Sequence, residues 1–177
     1  ATTPLFRTLM LLTFVAMFFG QSYTQLMPVF STLLGSGETG YGYLLSAGGL
    51  GSVLGTLLVG SVTQHARLGA MMLGAAALSA LSIMVFALVA ASGSFVAAFA
   101  ATVAAAAFAS CFNVTSMTVL QLSVPDRLRG RVMGIHSMGF SLMPLGALLL
   151  GALADLFTAT VAVVLSTSIY LLAAGHV

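Results

Sequence analysis

With 177 residues, 60% of them hydrophobic and 5% charged, and a formal net charge of +2, the chain has too few charges to cover a water-facing surface, since soluble domains carry roughly 25% charged residues. Its exterior has to face lipid, where every backbone N–H and C=O needs an internal partner and only helices or closed barrels serve. The absence of Lys and of any basic cluster interleaved with aromatics excludes nucleic acid as a partner, and a single cysteine, Cys111, excludes an internal disulfide or a multi-cysteine metal site.

Barrel strands alternate apolar and polar residues over about ten positions. The apolar runs here are longer and do not alternate, so the expected fold class is all-α integral membrane. A crossing takes about 20 apolar residues, and charges and turn residues divide the chain into six such spans. The first covers 8–34 and is closed by Gly35-Ser36-Gly37-Glu38. It carries Gln21 and Gln25, then Pro28, which is expected to bend the helix. The second, 41–62, holds Gly48, Gly49, Gly51, Gly55 and Gly60 and is closed by Gln64-His65-Ala66-Arg67. The third covers 68–90. The uncharged stretch that follows is too long for one crossing, and Ser92-Gly93-Ser94 is its natural reversal point. The fourth, 95–122, carries Cys111, Asn113, Thr115, Ser116 and Thr118, and Pro125 closes it. A loop bearing Asp126, Arg127, Arg129 and Arg131 leads to the fifth, 132–154, with His136 and four glycines, Gly134, Gly139, Gly146 and Gly151. The sixth covers 158–174.

With this number of spans, Arg7, Arg67, Arg127, Arg129 and Arg131 all fall on one side, and Glu38 and Asp155 on the other. The positive-inside rule makes the arginine side cytoplasmic. Both termini are then cytoplasmic, in a multi-pass protein of the plasma (inner) membrane.

The second and fifth spans are glycine-rich, and small residues at helical spacing let helix backbones approach closely. Gly51, Gly55, Gly146 and Gly151 are the expected packing positions, through Gly51-x-x-x-Gly55 and Ala147-x-x-x-Gly151. The third and sixth spans, mostly Ala, Leu and Val, read as lipid-facing. Two triplets, each with a glycine-rich middle helix and a bland last one, match the pattern of an inverted three-plus-three repeat.

From 120 to 134 the chain reads Leu-Gln-Leu-Ser-Val-Pro-Asp-Arg-Leu-Arg-Gly-Arg-Val-Met-Gly, and the fifth span continues through Pro144-Leu145-Gly146 to Gly151-Ala152-Leu153-Ala154-Asp155. This resembles the C-terminal half of major facilitator superfamily exporters, nearest to the macrolide-efflux and enterobactin-export group, where such a loop joins helices ten and eleven. A second landmark, 60–69, occupies the place of the loop between helices eight and nine. Gln64 stands there for the usual acid, and the Arg sits two positions late. The resemblance implies half of a twelve-helix transporter, with an N-terminal six-helix half elsewhere. It further implies secondary active export of small hydrophobic or amphipathic molecules by alternating access, without cofactor and without enzymatic chemistry.

Gln21 and Gln25 lie one α-helical turn apart. Polar groups at mid-membrane depth face a cavity or another helix, so these amides either touch substrate or bond between helices. Asn113 and Ser116 are candidates for the same pathway, whereas Thr115 and Thr118 are expected to bond back to their own helix. His136 is either a proton-linked switch or an interfacial histidine. The three histidines share no metal-ligand spacing, so no metal is expected. Asp126 and the three arginines after it are orientation signals, and could also form a cytoplasmic gate by pairing with the other half. No acid lies at mid-membrane depth, so any proton coupling would come mainly from that half.

Two other classes compete. An intramembrane serine protease needs a Ser beside flexible glycine and a His at similar depth. Gly35-Ser36-Gly37 is at the outer surface, whereas His65, His136 and His176 lie toward the cytoplasm. A non-catalytic scaffold or channel subunit is the other alternative, but no acidic or aromatic ring suggests a filter.

Overall fold

The computed structural model describes residues 3–61 and 68–176, all helical apart from short turns. Helix α1 (Thr3–Val15) runs into a π turn (Ala16–Gly20), a 3-10 turn (Ser22–Leu26) and α2 (Met27–Leu33). Then come α3 (Gly37–Gly60), α4 (Leu68–Ala91), α5 (Phe95–Ser123), α6 (Asp126–Met138), a 3-10 turn (Gly139–Ser141), α7 (Leu142–Leu156) and α8 (Ala159–Gly175). Among the described residues, five helical stretches are long and apolar enough to cross a bilayer: Leu9–Leu33, Gly37–Gly60, Leu68–Ala91, Phe95–Ser123 and Asp126–Leu156. The apolar α8 has 17 residues, the short end of the range for a span.

Local chemistry sets the turns. Gly93 ends α4 with φ 80°, the left-handed conformation that glycine adopts at no steric cost. Thr158 caps α8, its Oγ1 accepting from the Val161 N–H at 3.2 Å. Between α5 and α6 only Val124 and Pro125 leave the helical path, because a residue before proline is pushed to extended backbone.

Helix α5 is the hub, with α3 and α4 against it. Helix α8 packs on α4 and α7, and α7 lies along the π and 3-10 turns of the first span. Two apolar clusters form the core. One gathers Leu9, Leu12, Met72, Phe112, Leu120, Val132 and Tyr170. The other gathers Met27, Phe30, Leu44, Ile83, Phe86, Leu150 and Val163. The irregular turns of the first span fall between them. Much of the outer surface is apolar, as Leu148 (70% exposed) and Leu172 (67%) show, which suits contact with lipid or another apolar partner.

Four expectations need correction. The bend expected at Pro28 lies upstream, in the turns from 16 to 26. Pro28 itself sits in the first turn of α2, where its missing N–H has no bond to lose. The charged segment is helical: Asp126, Arg127, Arg129 and Arg131 occupy the first turns of α6 rather than a loop. Neither α4 nor α8 is lipid-facing all round. Each buries a full stripe, from Met72 through Ala76, Ser79, Ile83 and Phe86 on α4, and from Ala162 through Ser166 to Tyr170 on α8.

Gly151 packs against no other helix among the described residues, since a Cβ there meets none of their atoms within 4 Å. By contrast, a Cβ on Gly51 would overlap the Val103 carbonyl, one on Gly55 the Ala107 carbonyl, and one on Gly146 the Phe18 carbonyl and the Ser22 hydroxyl.

Candidate functional site

The break in the first span builds the site. Gln21, Ser22, Tyr23, Thr24 and Gln25 put five consecutive hydrogen-bonding side chains in an otherwise apolar span, and the helix loses its regular pattern around them. The Gln21 N–H reaches back to Ala16 O at 2.8 Å, and the Thr24 N–H reaches only to Gln21 O at 3.3 Å. Hydroxyls hold this joint. Ser22 Oγ lies 2.7 Å from Phe18 O and 3.0 Å from Met143 O on α7, and Ser166 Oγ of α8 donates to Phe19 O at 2.7 Å. The missing side chain of Gly146 lets α7 approach the joint, and the Tyr170 ring lies only 2.8 Å from where a Cβ on Gly20 would be.

Beside the joint lies a cavity of about 290 Å³. The turns contribute Gln21, Tyr23, Thr24 and Met27, α3 contributes Leu44, Leu45, Gly48 and Ser52, and α5 contributes Ala106, Ala109, Ser110 and Asn113. The room comes from short side chains at Gly48, Ala106 and Ala109. No charged side chain among the described residues lines it. Thr24 Oγ1 donates to Gln21 O and Ser52 Oγ to Gly48 O, both at 2.9 Å. Each hydroxyl has one proton, so these two offer only lone pairs to a ligand. The Asn113 Oδ1 is buried and has no partner among the described residues. A buried amide oxygen without a hydrogen bond is costly.

Of the four pathway candidates, Gln21 and Asn113 meet in this cavity. Gln25 does not. In a 3-10 turn, residues four apart differ by about 120° around the axis rather than the 40° of an α-helix. Gln25 therefore lines a different groove, with Pro144, Gly151 and Asp155. Ser116 lies outside this cavity: it is 1% exposed, and its Oγ lies 3.1 Å from Thr13 Oγ1, tying α5 to α1. Ser52, Ser110 and Thr24 line the cavity and were not anticipated. The signal for Thr24 was present, since a run of polar residues covers every face of a helix and so points to irregular backbone. Ser52 and Ser110 left none, because single serines in membrane helices usually bond to their own backbone.

At the far end of α5, Arg129 pairs with Asp126 at 2.9 Å and donates to Gln121 O at 3.3 Å. It thus joins the first turn of α6 to the last turn of α5. The pair is exposed, and no other ion pair forms among the described residues. Arg127 and Arg131 face outward. His136 is buried on the face of α6 that also carries Val132, and its Nε2 has no partner among the described residues. Gln64, His65 and Arg67 lie outside the described residues. No group of three or more His, Cys, Asp or Glu that could hold a metal occurs among the described residues.

The family model of the Major Facilitator Superfamily matches residues 9–176, nearly the whole chain. No curated protein sequence matches it.

Proposed function

The chain belongs to the Major Facilitator Superfamily, a superfamily of membrane transporters, and we propose that it forms the C-terminal six-helix half of an exporter. The exporter would move small hydrophobic or amphipathic molecules out across the plasma (inner) membrane by alternating access. Its partner would be an N-terminal six-helix half, and the two would rock about a site near the bilayer midplane. In this reading the helices form an inverted three-plus-three repeat, both termini are cytoplasmic, and the nearest relatives are the macrolide-efflux and enterobactin-export proteins.

The observation that carries the reading is the uncharged cavity where Gln21 and Asn113 converge. A charged solute moved into a low-dielectric site without a counter-charge costs several kcal/mol. A neutral or amphipathic molecule avoids that cost, and its polar groups can satisfy the two amides. Lone pairs on Thr24 and Ser52 add acceptors for ligand N–H or O–H groups. Asp126 and the arginines of α6 would act at the cytoplasmic end, where only a few kcal/mol are needed to bias an equilibrium between two states.

The test is efflux of lipophilic fluorescent dyes from cells carrying the intact protein. Asn113→Leu and Gln21→Leu remove hydrogen bonds worth about 1 kcal/mol each, so each should raise KM roughly fivefold while leaving surface abundance unchanged. Unaltered dye efflux in the double variant would rule out this cavity as the substrate site.

A further inference from the structure

Helix α6 carries three arginines, and they do not share a face. At 3.6 residues per turn, Arg127, Arg131, Gly134 and Met138 fall within about 60° of one another around the helix axis. All four are exposed. Arg129 lies on the far side, about 160° or more from both other arginines, where it is engaged with Asp126 and Gln121 O. The buried residues Val132 and His136 also turn away from the Arg127–Arg131 face, and Gly139 packs on Phe14 and Met17 of the first span. The inner face of α6 is thus covered by the bundle, and the Arg127–Arg131 face looks outward.

Charge and shape on this face narrow the partner. The chain has three acids. Asp126 pairs with Arg129, Glu38 is in the first turn of α3, and Asp155 is in the last turn of α7. Arg127 and Arg131 therefore make no ion pair among the described residues. A neutral helix laid over them would leave two guanidinium groups desolvated without a counter-charge, which is costly, whereas a phosphate takes the planar fork of arginine bidentately. Gly134 lies between and just beyond the two arginines. A Cβ there, or on the neighbouring exposed Gly130, meets nothing within 4 Å among the described residues. Both glycines weaken the helix relative to alanine, and what they leave is bare backbone beside two free cations. Met138, 67% exposed, continues the same face about 10 Å further along the axis than Arg131, and Ile135, 44% exposed, borders it. Cations first and apolar surface next is the order in which a phospholipid presents its headgroup and its chains.

We propose that the outer face of α6 holds an anionic phospholipid from the leaflet on the arginine side of the membrane. Its phosphate sits between Arg127 and Arg131 over Gly134, and an acyl chain runs along Ile135 and Met138. Arg129, on the opposite face, is left to the cytoplasmic gate. The site shares no residue with the Gln21–Asn113 cavity, so it stands or falls independently of that cavity's role in transport.

Two lipids with the same diazirine-bearing acyl chain make the test, phosphatidylglycerol and phosphatidylcholine. Each is doped at low mole fraction into phosphatidylcholine nanodiscs holding the intact protein, and after photolysis the labelled residues are mapped by mass spectrometry. Phosphatidylglycerol should label residues 131–138 roughly tenfold more than phosphatidylcholine, the scale expected of two arginines near an anionic headgroup. Arg127→Gln/Arg131→Gln should bring it down to the phosphatidylcholine level. Arg7→Gln/Arg129→Gln removes as much charge elsewhere and should keep the preference. Equal labelling by the two lipids in the wild type overturns the proposal, as it would if the other half of the transporter covered this face. An equal loss in both double variants also overturns it, by showing only diffuse attraction to net charge. Gly134→Leu keeps every arginine and fills the bare surface between them, so it should cut phosphatidylglycerol labelling severalfold. Unchanged labelling in Gly134→Leu sinks the idea too, which keeps the test decisive if the arginine variant fails to insert.

Discussion

Replacing Gly55 by alanine tests whether the α3–α5 contact is as close as the geometry requires. The added methyl group would overlap the Ala107 carbonyl oxygen, and it would lie 2.8 Å from that carbonyl carbon and 2.9 Å from the Ala107 Cα. These are backbone atoms of the central helix, so no side chain can swing aside and the two helices have to part. The same shift strains the Cys111 Sγ bond to Gly55 O, now 3.2 Å long. It also loosens the turn below, where Gly51 faces the Val103 carbonyl. Overpacking a filled site costs about 1 to 3 kcal/mol, and with two adjacent turns disturbed Gly55→Ala should fall near the top of that range. That is a large part of a typical stability of about 5 to 15 kcal/mol. Gly49→Ala is the internal control. Gly49 is exposed on the same helix with nothing within 4 Å of its Cβ position. There the better helix propensity of alanine should stabilise by up to about 1 kcal/mol. The opposite signs make the comparison independent of the detergent used. Reversible unfolding of the intact protein in mixed micelles, followed by circular dichroism, gives both values. A Gly55→Ala protein as stable as Gly49→Ala would show that α3 and α5 do not meet at this glycine.

Other consequences can be checked in the same preparation. Ser22→Ala removes the hydroxyl that lies near both Phe18 O and Met143 O. It should cost about 1 kcal/mol and speed hydrogen exchange in residues 16–26, whereas unchanged exchange there would mean the hydroxyl does not hold the joint. Arg129→Ala breaks its links to Asp126 and Gln121 O. The exposed pair contributes about 0 to 1 kcal/mol, so the folded yield should hold. Dye efflux should nevertheless slow, with only partial rescue by Arg129→Lys, which lacks the planar fork; normal efflux with inverted insertion would reduce the arginines to orientation signals. Single cysteines at Arg7, Glu38 and Asp155 in a Cys111→Ala background should label from opposite faces of sealed cells, with position 7 inside and 38 and 155 outside. Labelling of positions 7 and 38 from the same face would contradict the proposed topology.

The sequence by itself determined the all-α membrane class, because that follows from composition and pattern: too few charges for a water-facing surface, and apolar runs too long for barrel strands and without their alternation. The membership of a transporter superfamily was also legible, through the ordered residues from Pro125 to Asp155. Other features were decided only by the tertiary structure, for identifiable reasons. A glycine is a packing residue only if another backbone stands opposite it. Gly51, Gly55 and Gly146 have such neighbours and Gly151 has none among the described residues, although Gly51-x-x-x-Gly55 and Ala147-x-x-x-Gly151 look alike on paper. Gln21 and Gln25 share a face only if the backbone between them is α-helical. The π and 3-10 turns there send one to the cavity and the other to the Asp155 groove. Those turns persist because Ser22 and Ser166 hold carbonyls of the break. One of the two, Ser166, lies far along the chain, and that pairing is a property of three-dimensional proximity that no local pattern encodes.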